Sequence, residues 1–141
     1  MGSGVATARP ILLDTDVLVD FLRGHDEAVA FVSANANRII LSAVVVAELY
    51  SGVKGATEEA ALDDVVGLFR VVEITAEVAR VGGLYRRDYG KSHGVGLADA
   101  LLVATAEAEG AELATLNTRH YPMVKGLRPA YRKAGRRSGN G

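Results

Sequence analysis

Short apolar runs alternate along this chain with longer stretches in which apolar residues recur every three or four positions. Pro10-Ile11-Leu12-Leu13-Asp14 reads as a buried strand that ends on a carboxylate. The pattern turns helical at Thr15-Asp16, either of which can cap a helix to about Leu22 before Arg23-Gly24 stops it. Asp26 is expected to cap a second helix to about Ala34, and Arg38-Ile39-Ile40-Leu41 reads as the second strand. Ser42 and Gly52 bracket a segment that holds Val44-Val45-Val46. The valine run alone fits a strand or a helix, but the Ala47-Glu48-Leu49 ending favours a helix, with Glu48 one turn beyond Val44.

The alternation continues. Thr57 opens a helix to about Phe69, and Arg70 to Glu73 form a third strand. Thr75 starts a long helix with Val78, Val81, Gly82 and Tyr85 on one stripe, expected to end near Gly90 and be followed by a loop over 91–96. Leu97 to Glu109 is the clearest helix, with Leu97, Leu101, Ala104, Thr105 and Ala108 on its apolar stripe. Glu112 to Leu116 is a fourth strand, Asn117-Thr118 begins a turn, and an edge strand is expected near Leu127. Strands alternating with helices predict an α/β fold with a mostly parallel central sheet of four to five strands and helices on both faces. One domain is expected over residues 10–131, between a flexible leader (1–9) and a basic flexible tail (132–141).

Composition narrows the chemistry. The absence of cysteine excludes disulfides, zinc-thiolate sites and a thiol nucleophile. No apolar run approaches the roughly 18 residues of a membrane span, and no secretory signal is read at the N-terminus, so a cytoplasmic protein without a membrane partner is expected. The net charge of -1 conceals a polarity: residues 1–112 carry -8, whereas residues 113–141 carry seven basic groups and no acid. An acidic body with a basic C-terminal end suits a cation in one place and a polyanion beside it. Arg86, Arg87, Lys91, Arg119, Lys125 and Arg128 are candidates for phosphate contacts.

Three acids are oddly placed by the pattern. Asp14 directly follows a buried strand, Glu48 interrupts an apolar helix, and Asp99 lies in the first turn of another. A carboxylate in apolar surroundings is costly unless it is paired or bound to a cation. Converging carboxylates would repel one another until a divalent cation neutralised them. Oxygen ligands without His or Cys suit Mg²⁺ or Mn²⁺. Each acid alone also has a plain explanation: Asp14 as a helix cap, Glu48 on a half-exposed face, Asp99 as a residue favoured by the helix dipole.

Leu12-Leu13-Asp14-Thr15-Asp16-Val17-Leu18-Val19-Asp20, Val46-Ala47-Glu48-Leu49 with Gly52, Leu97-Ala98-Asp99-Ala100-Leu101-Leu102 and Leu113-Ala114-Thr115-Leu116-Asn117-Thr118-Arg119-His120-Tyr121 together resemble the four motifs of PIN-domain nucleases. More narrowly they resemble VapC-type toxins of toxin–antitoxin pairs, over roughly residues 10–131. The resemblance implies a PIN fold and a metal-dependent endoribonuclease in which Asp14, Glu48 and Asp99 hold Mg²⁺ or Mn²⁺, leaving a 5′-phosphate and a 3′-hydroxyl. It also implies an RNA substrate, a homodimer, and a VapB-like antitoxin that neutralises the toxin by reaching a basic side chain into the acids. Asn117 stands at a fourth site position that is acidic in many such domains, and is expected to orient a water or make a weaker metal contact. Asp16 stands where Asn or Ser is frequent and is a further candidate ligand. Asp20 is expected on the helix surface, and His120 is expected to be structural.

Two other readings fit parts of the chain. Leu13-Asp14-Thr15-Asp16-Val17 matches the first motif of haloacid-dehalogenase-like phosphatases, but residues 95–106 offer only one carboxylate for that family's metal motif. A non-catalytic PIN-like module that binds RNA or a partner is suggested by Asn117 and opposed by the three intact acids.

Overall fold

In the computed structural model, which describes residues 8–133, β1 (Ile11–Leu13), β2 (Ile39–Ser42), β3 (Arg70–Val72) and β4 (Glu112–Ala114) form one sheet. The strand order is β3-β2-β1-β4 and every pairing is parallel. The helices are α1 (Thr15–Leu22), α2 (Asp26–Ala34), α3 (Ala43–Ser51), α4 (Ala56–Val66), α5 (Ala76–His93) and α6 (Leu97–Glu109). The α/β fold expected from the alternation is the one formed. Parallel strands need crossovers, and here every crossover contains helix. β1 and β2 are buried at every residue, which explains why they read as unbroken apolar runs.

The register positions the chemistry. Leu13 lies opposite Ala114, and the Asp14 N–H donates to the Ala114 carbonyl at 2.9 Å, so Asp14 and Thr115 leave the sheet side by side. The β1-to-α1 turn needs no linker because Asp14 itself caps the helix, its side chain accepting from the Thr15 N–H at 2.7 Å. Ser42 plays the same part for α3, accepting from Val44 N–H at 3.0 Å, and Gly52 ends that helix as expected.

Several boundaries differ from the sequence expectations. His25, not Asp26, is the N-cap of α2, and it makes no side-chain cap bond. α4 begins at Ala56 after Gly55 (φ +89°) and ends at Val66. α5 does not stop at Gly90 but runs to His93, where Gly94 in the left-handed region (φ +67°) terminates it. Gly90 stays inside the helix, its missing Cβ leaving room for the Arg86 guanidinium. Among the described residues there is no strand near Leu127. Gly126 turns the chain (φ +73°), and one bond, Ala130 N–H to the Thr115 carbonyl at 2.9 Å, ties this segment alongside the end of β4.

α6 buries Ala100, Leu102, Val103, Ala104, Thr105 and Ala106, far more of its circumference than one stripe, while Leu97 is 53% exposed. Its closest neighbour is α5, and Gly82 is the point of approach. A Cβ there would lie 2.6 Å from Leu101 Cδ2 and 3.1 Å from Leu101 Cα. Asp20 is buried rather than on the helix surface, three residues after Val17 on the inward face of α1. Arg9, in the expected leader, donates to the Gly110 and Ala111 carbonyls. The rest of that leader (1–7) and most of the basic tail (134–141) lie outside the described residues. Among the described residues no helix is long and apolar enough to cross a membrane.

Candidate active site

Asp14 (8% exposed) is held by three donors. Its Oδ1 accepts from Thr15 N–H, and its Oδ2 accepts from Thr115 Oγ1 at 2.8 Å and from the Tyr121 hydroxyl at 2.5 Å. Tyr121 is almost fully buried, and its hydroxyl oxygen also lies 3.2 Å from Asp99 Oδ1. One phenol therefore stands between two carboxylates. Because a phenol has a single proton to donate, the short contact to Asp14 takes it, and Asp99 receives at most a share. His120 Nδ1 lies 3.5 Å from the other oxygen of Asp99.

The electrostatics follow from this crowding. Burial, then the Asp14 charge, raises the Asp99 pKa above the ordinary carboxylate value; Glu48 adds to the rise, and the Tyr121 bond and His120 oppose it. Burial and the same two acids push the Tyr121 hydroxyl far upward, so it remains a protonated donor. Asp16 is raised as well, by burial and by Asp14.

Glu48 joins from α3, which packs against both α1 and α6. It is exposed, contrary to the apolar setting inferred from its neighbours, and its Oε1 accepts from Thr15 Oγ1 at 2.8 Å. Thr15 thus links the residue after Asp14 to the third acid. Asn117 is exposed and bonds to none of this trio among the described residues; its side-chain amide donates to Asp16 Oδ2 at 3.2 Å, and its N–H to Thr115 Oγ1 at 3.1 Å. The same oxygen accepts from Leu116 N–H at 2.9 Å, with Thr115 Oγ1 at 3.4 Å, and Oδ1 accepts from Val17 N–H. Asp16 and Asn117 form a second, adjoining cluster, hinged to the first by Thr115.

The donor set is all oxygen, the kind hard divalent cations take. Among the described residues no group of three or more His, Cys, Asp and Glu side chains is gathered so as to hold a metal ion. Mg²⁺, however, commonly uses one or two carboxylates and keeps its waters, and the Asp14–Asp99 pair, short of positive charge and with one shared proton, meets that need. The sequence assigns Thr15 a capping role only and no site role to Thr115 or Tyr121. Thr115 and Tyr121 both stand in the fourth motif, but the partners of Tyr121 lie 107 and 22 positions away, so its role is not legible from neighbours in the chain.

The basic residues expected to meet phosphate are scattered. Arg87 pairs with Asp88 at 2.9 Å. Lys125 and Arg128 line a cavity of about 770 Å³ with Arg9, Glu107 and Glu112, and no acid of the site reaches it.

A PIN domain family model matches residues 11–125. The chain is 38% identical over 124 residues to ribonuclease VapC19 of Mycobacterium tuberculosis, spanning 85% of this chain and 98% of that protein. It is 39% identical over 130 residues to ribonuclease VapC10 of the same organism, spanning 90% and 97%. Among solved structures, a toxin–antitoxin complex from Klebsiella pneumoniae superposes with a TM-score of 0.74 at 26% identity, covering 86% of this chain and 98% of that one. Four parallel strands, acids at their C-terminal edge and these likenesses agree: the chain belongs to the PIN domain family, in the branch that contains the VapC ribonucleases.

Proposed function

We propose that the protein is a divalent-metal-dependent endoribonuclease that acts as the toxin of a toxin–antitoxin pair. The observation that carries the reading is the meeting of Asp14 and Asp99 on one buried hydroxyl, with Glu48 across Thr15, in a chain whose relatives are ribonucleases. Asp14 and Asp99 would hold Mg²⁺ or Mn²⁺, with Glu48 as the third acid. When bound, the cation supplies Lewis-acid polarisation of the phosphodiester and acidifies a water. The chain's own part is positional. Thr115, Tyr121 and the Thr15 N–H fix Asp14 in one rotamer, and Thr15 Oγ1 orients Glu48. The Asp16–Asn117 cluster provides hydrogen-bonding groups beside the acids, where Asn117 is free to turn its carbonyl toward a water or the substrate.

The neutralising partner is a VapB-like antitoxin, and the toxin itself a homodimer. An apolar groove of about 400 Å³ between α1, α3 and α4 supports the antitoxin reading, because Thr15 and Glu48 lie on its wall beside Val19, Leu49 and Leu62. A segment seated there would reach Glu48 directly. The phosphatase reading fares worse: residues 95–106 carry Asp99 as their one carboxylate, and the relatives are ribonucleases.

The test is incubation of structured RNA, DNA and p-nitrophenyl phosphate with Mg²⁺ or Mn²⁺, with EDTA and Asp99→Asn as controls. RNA cleavage that depends on the metal and disappears in Asp99→Asn is expected. Cleavage that survives Asp99→Asn overturns the site, and hydrolysis of the small ester with RNA intact overturns the function.

A further inference from the structure

We propose that the C-terminal segment 129–133 carries a phosphate-binding subsite for the RNA strand, with Arg132 as its cation. The inference rests on the ribonuclease reading and adds to it where the substrate lies.

Four observations carry it. Ala130 N–H to the Thr115 carbonyl lays the segment beside the end of β4, where Thr115 contacts Asp14. Asp20 then fastens it: the Tyr131 hydroxyl donates to Oδ2 at 2.8 Å, Lys133 Nζ lies 2.9 Å from Oδ1, and the Tyr131 ring packs on Phe31 with centroids 6.0 Å apart. This fastening is what makes the burial of Asp20 tolerable. Between the segment and the β4 exit lies a cleft of about 400 Å³, walled by Asp16, Leu116 and Asn117 on one side and Pro129, Tyr131 and Arg132 on the other. Lys133 is neutralised by Asp20, but Arg132 is exposed and makes no ion pair among the described residues.

The cleft therefore opens beside the acids with one uncommitted guanidinium on its rim, a fork that matches phosphate oxygens. Asp16, the one acid on its wall, has Oδ2 covered by Leu116 N–H, Asn117 Nδ2 and Thr115 Oγ1, which spread its charge. A strand whose scissile bond meets Asp14 and Asp99 would lay a neighbouring phosphate against Arg132, in the C-terminal stretch 113–141 that holds seven basic groups and no acid.

The experiment measures binding without turnover, by fluorescence anisotropy of a labelled single-stranded RNA in the full chain carrying Asp99→Asn, across a salt series. Adding Arg132→Ala is expected to weaken binding about tenfold and to reduce the slope of log affinity against log salt by about 0.7, one phosphate's worth on a single strand. Asp20→Asn, which releases the segment without touching Arg132, is expected to show the same losses. Arg80→Ala, which removes an equal charge from α5, should change neither. In an otherwise wild-type chain Arg132→Ala should raise KM with kcat within about twofold. Unchanged affinity and slope in Arg132→Ala, or an equal loss in Arg80→Ala, overturns the subsite while wild-type cleavage keeps the ribonuclease reading. A parent that binds no RNA and a wild type that cuts none overturn both. Unchanged RNA binding with lost binding of a polyglutamate peptide would give the cleft to a protein partner instead.

Discussion

Tyr121→Phe removes one oxygen from a buried ring and leaves its packing in place, so it isolates what that oxygen does. The hydroxyl makes one short, charge-assisted bond to Asp14 and one longer contact to Asp99. A hydrogen bond to a charged group contributes about 1.5–3 kcal/mol. The Asp99 contact is discounted, because that side chain is 31% exposed and the single phenol proton is already given to Asp14. Asp14 keeps Thr15 N–H and Thr115 Oγ1, so the metal-free loss should be about 1.5–3 kcal/mol. For a domain of this size that is roughly 5–12 °C in Tm. A bound cation would neutralise the same two carboxylates, and the deficit should then shrink. The assay is thermal unfolding of both proteins followed by circular dichroism, with EDTA and with millimolar Mn²⁺. A deficit of equal size in both conditions would make Tyr121 a core residue with no part in the site. No deficit in EDTA would mean that its hydroxyl holds nothing.

Other perturbations test other links. Asp99→Asn should cut metal-dependent RNA cleavage by more than the roughly 100-fold typical of losing a group behind a metal ligand. Its metal-free Tm should hold or rise, since repulsion with Asp14 is relieved; a gel-based cleavage assay and a melt read the two effects. Asp20 has a lowered pKa: burial alone would raise it, but the Lys133 ammonium, the Tyr131 hydroxyl and His25 outweigh that. A depressed folded pKa contributes stability above the unfolded value of about 3.9, and that contribution disappears as pH falls through the folded value. Asp20→Asn should therefore cost about 1.5–3 kcal/mol at pH 7, and the wild-type and variant denaturant curves should converge once the pH falls below the folded pKa of Asp20. Gly82→Ala should lose about 1 kcal/mol, the overpacking against Leu101 outweighing the gain in helix propensity, whereas Gly83→Ala, which meets nothing within 4 Å, should gain about 0.5–1 kcal/mol. Because Leu101 lies two residues after Asp99 in α6, only the Gly82 variant should also lose activity.

Much of the frame is legible in the chain because its determinants are local. Ile11-Leu12-Leu13 must be buried on both sides, Asp14 and Ser42 cap the helices that follow them, and Gly52 ends α3. Local signals mislead where two residues of one type do different work. Gly90 reads as a stop and is not one, while Gly94, four residues on, takes the left-handed conformation that is. α6 reads as a one-sided helix because Leu97 and Leu101 mark a stripe, but packing on α5 and on the sheet side buries most of its circumference. Glu48 reads as an acid in apolar surroundings, yet α3 turns it to the surface, where Thr15 meets it.

The acids divide by who neutralises them, and that is decided by topology rather than by neighbours in the chain. Asp20 sits three residues after Val17 on the inward face of α1, so its burial follows from helical spacing. What makes the burial tolerable is Tyr131 and Lys133, from the far end of the chain, and with that pair in place it has no call for an external cation. Asp14 and Asp99 are brought together by β1, α6 and the turn after β4, and among the described residues the same topology pairs them with no lysine or arginine, supplying neutral hydroxyl and N–H donors and a half-exposed histidine. A buried acid with an internal counter-ion fastens structure. Two acids sharing one proton are left with a charge that something from outside must meet, and this is the physical difference between the latch and the candidate active site.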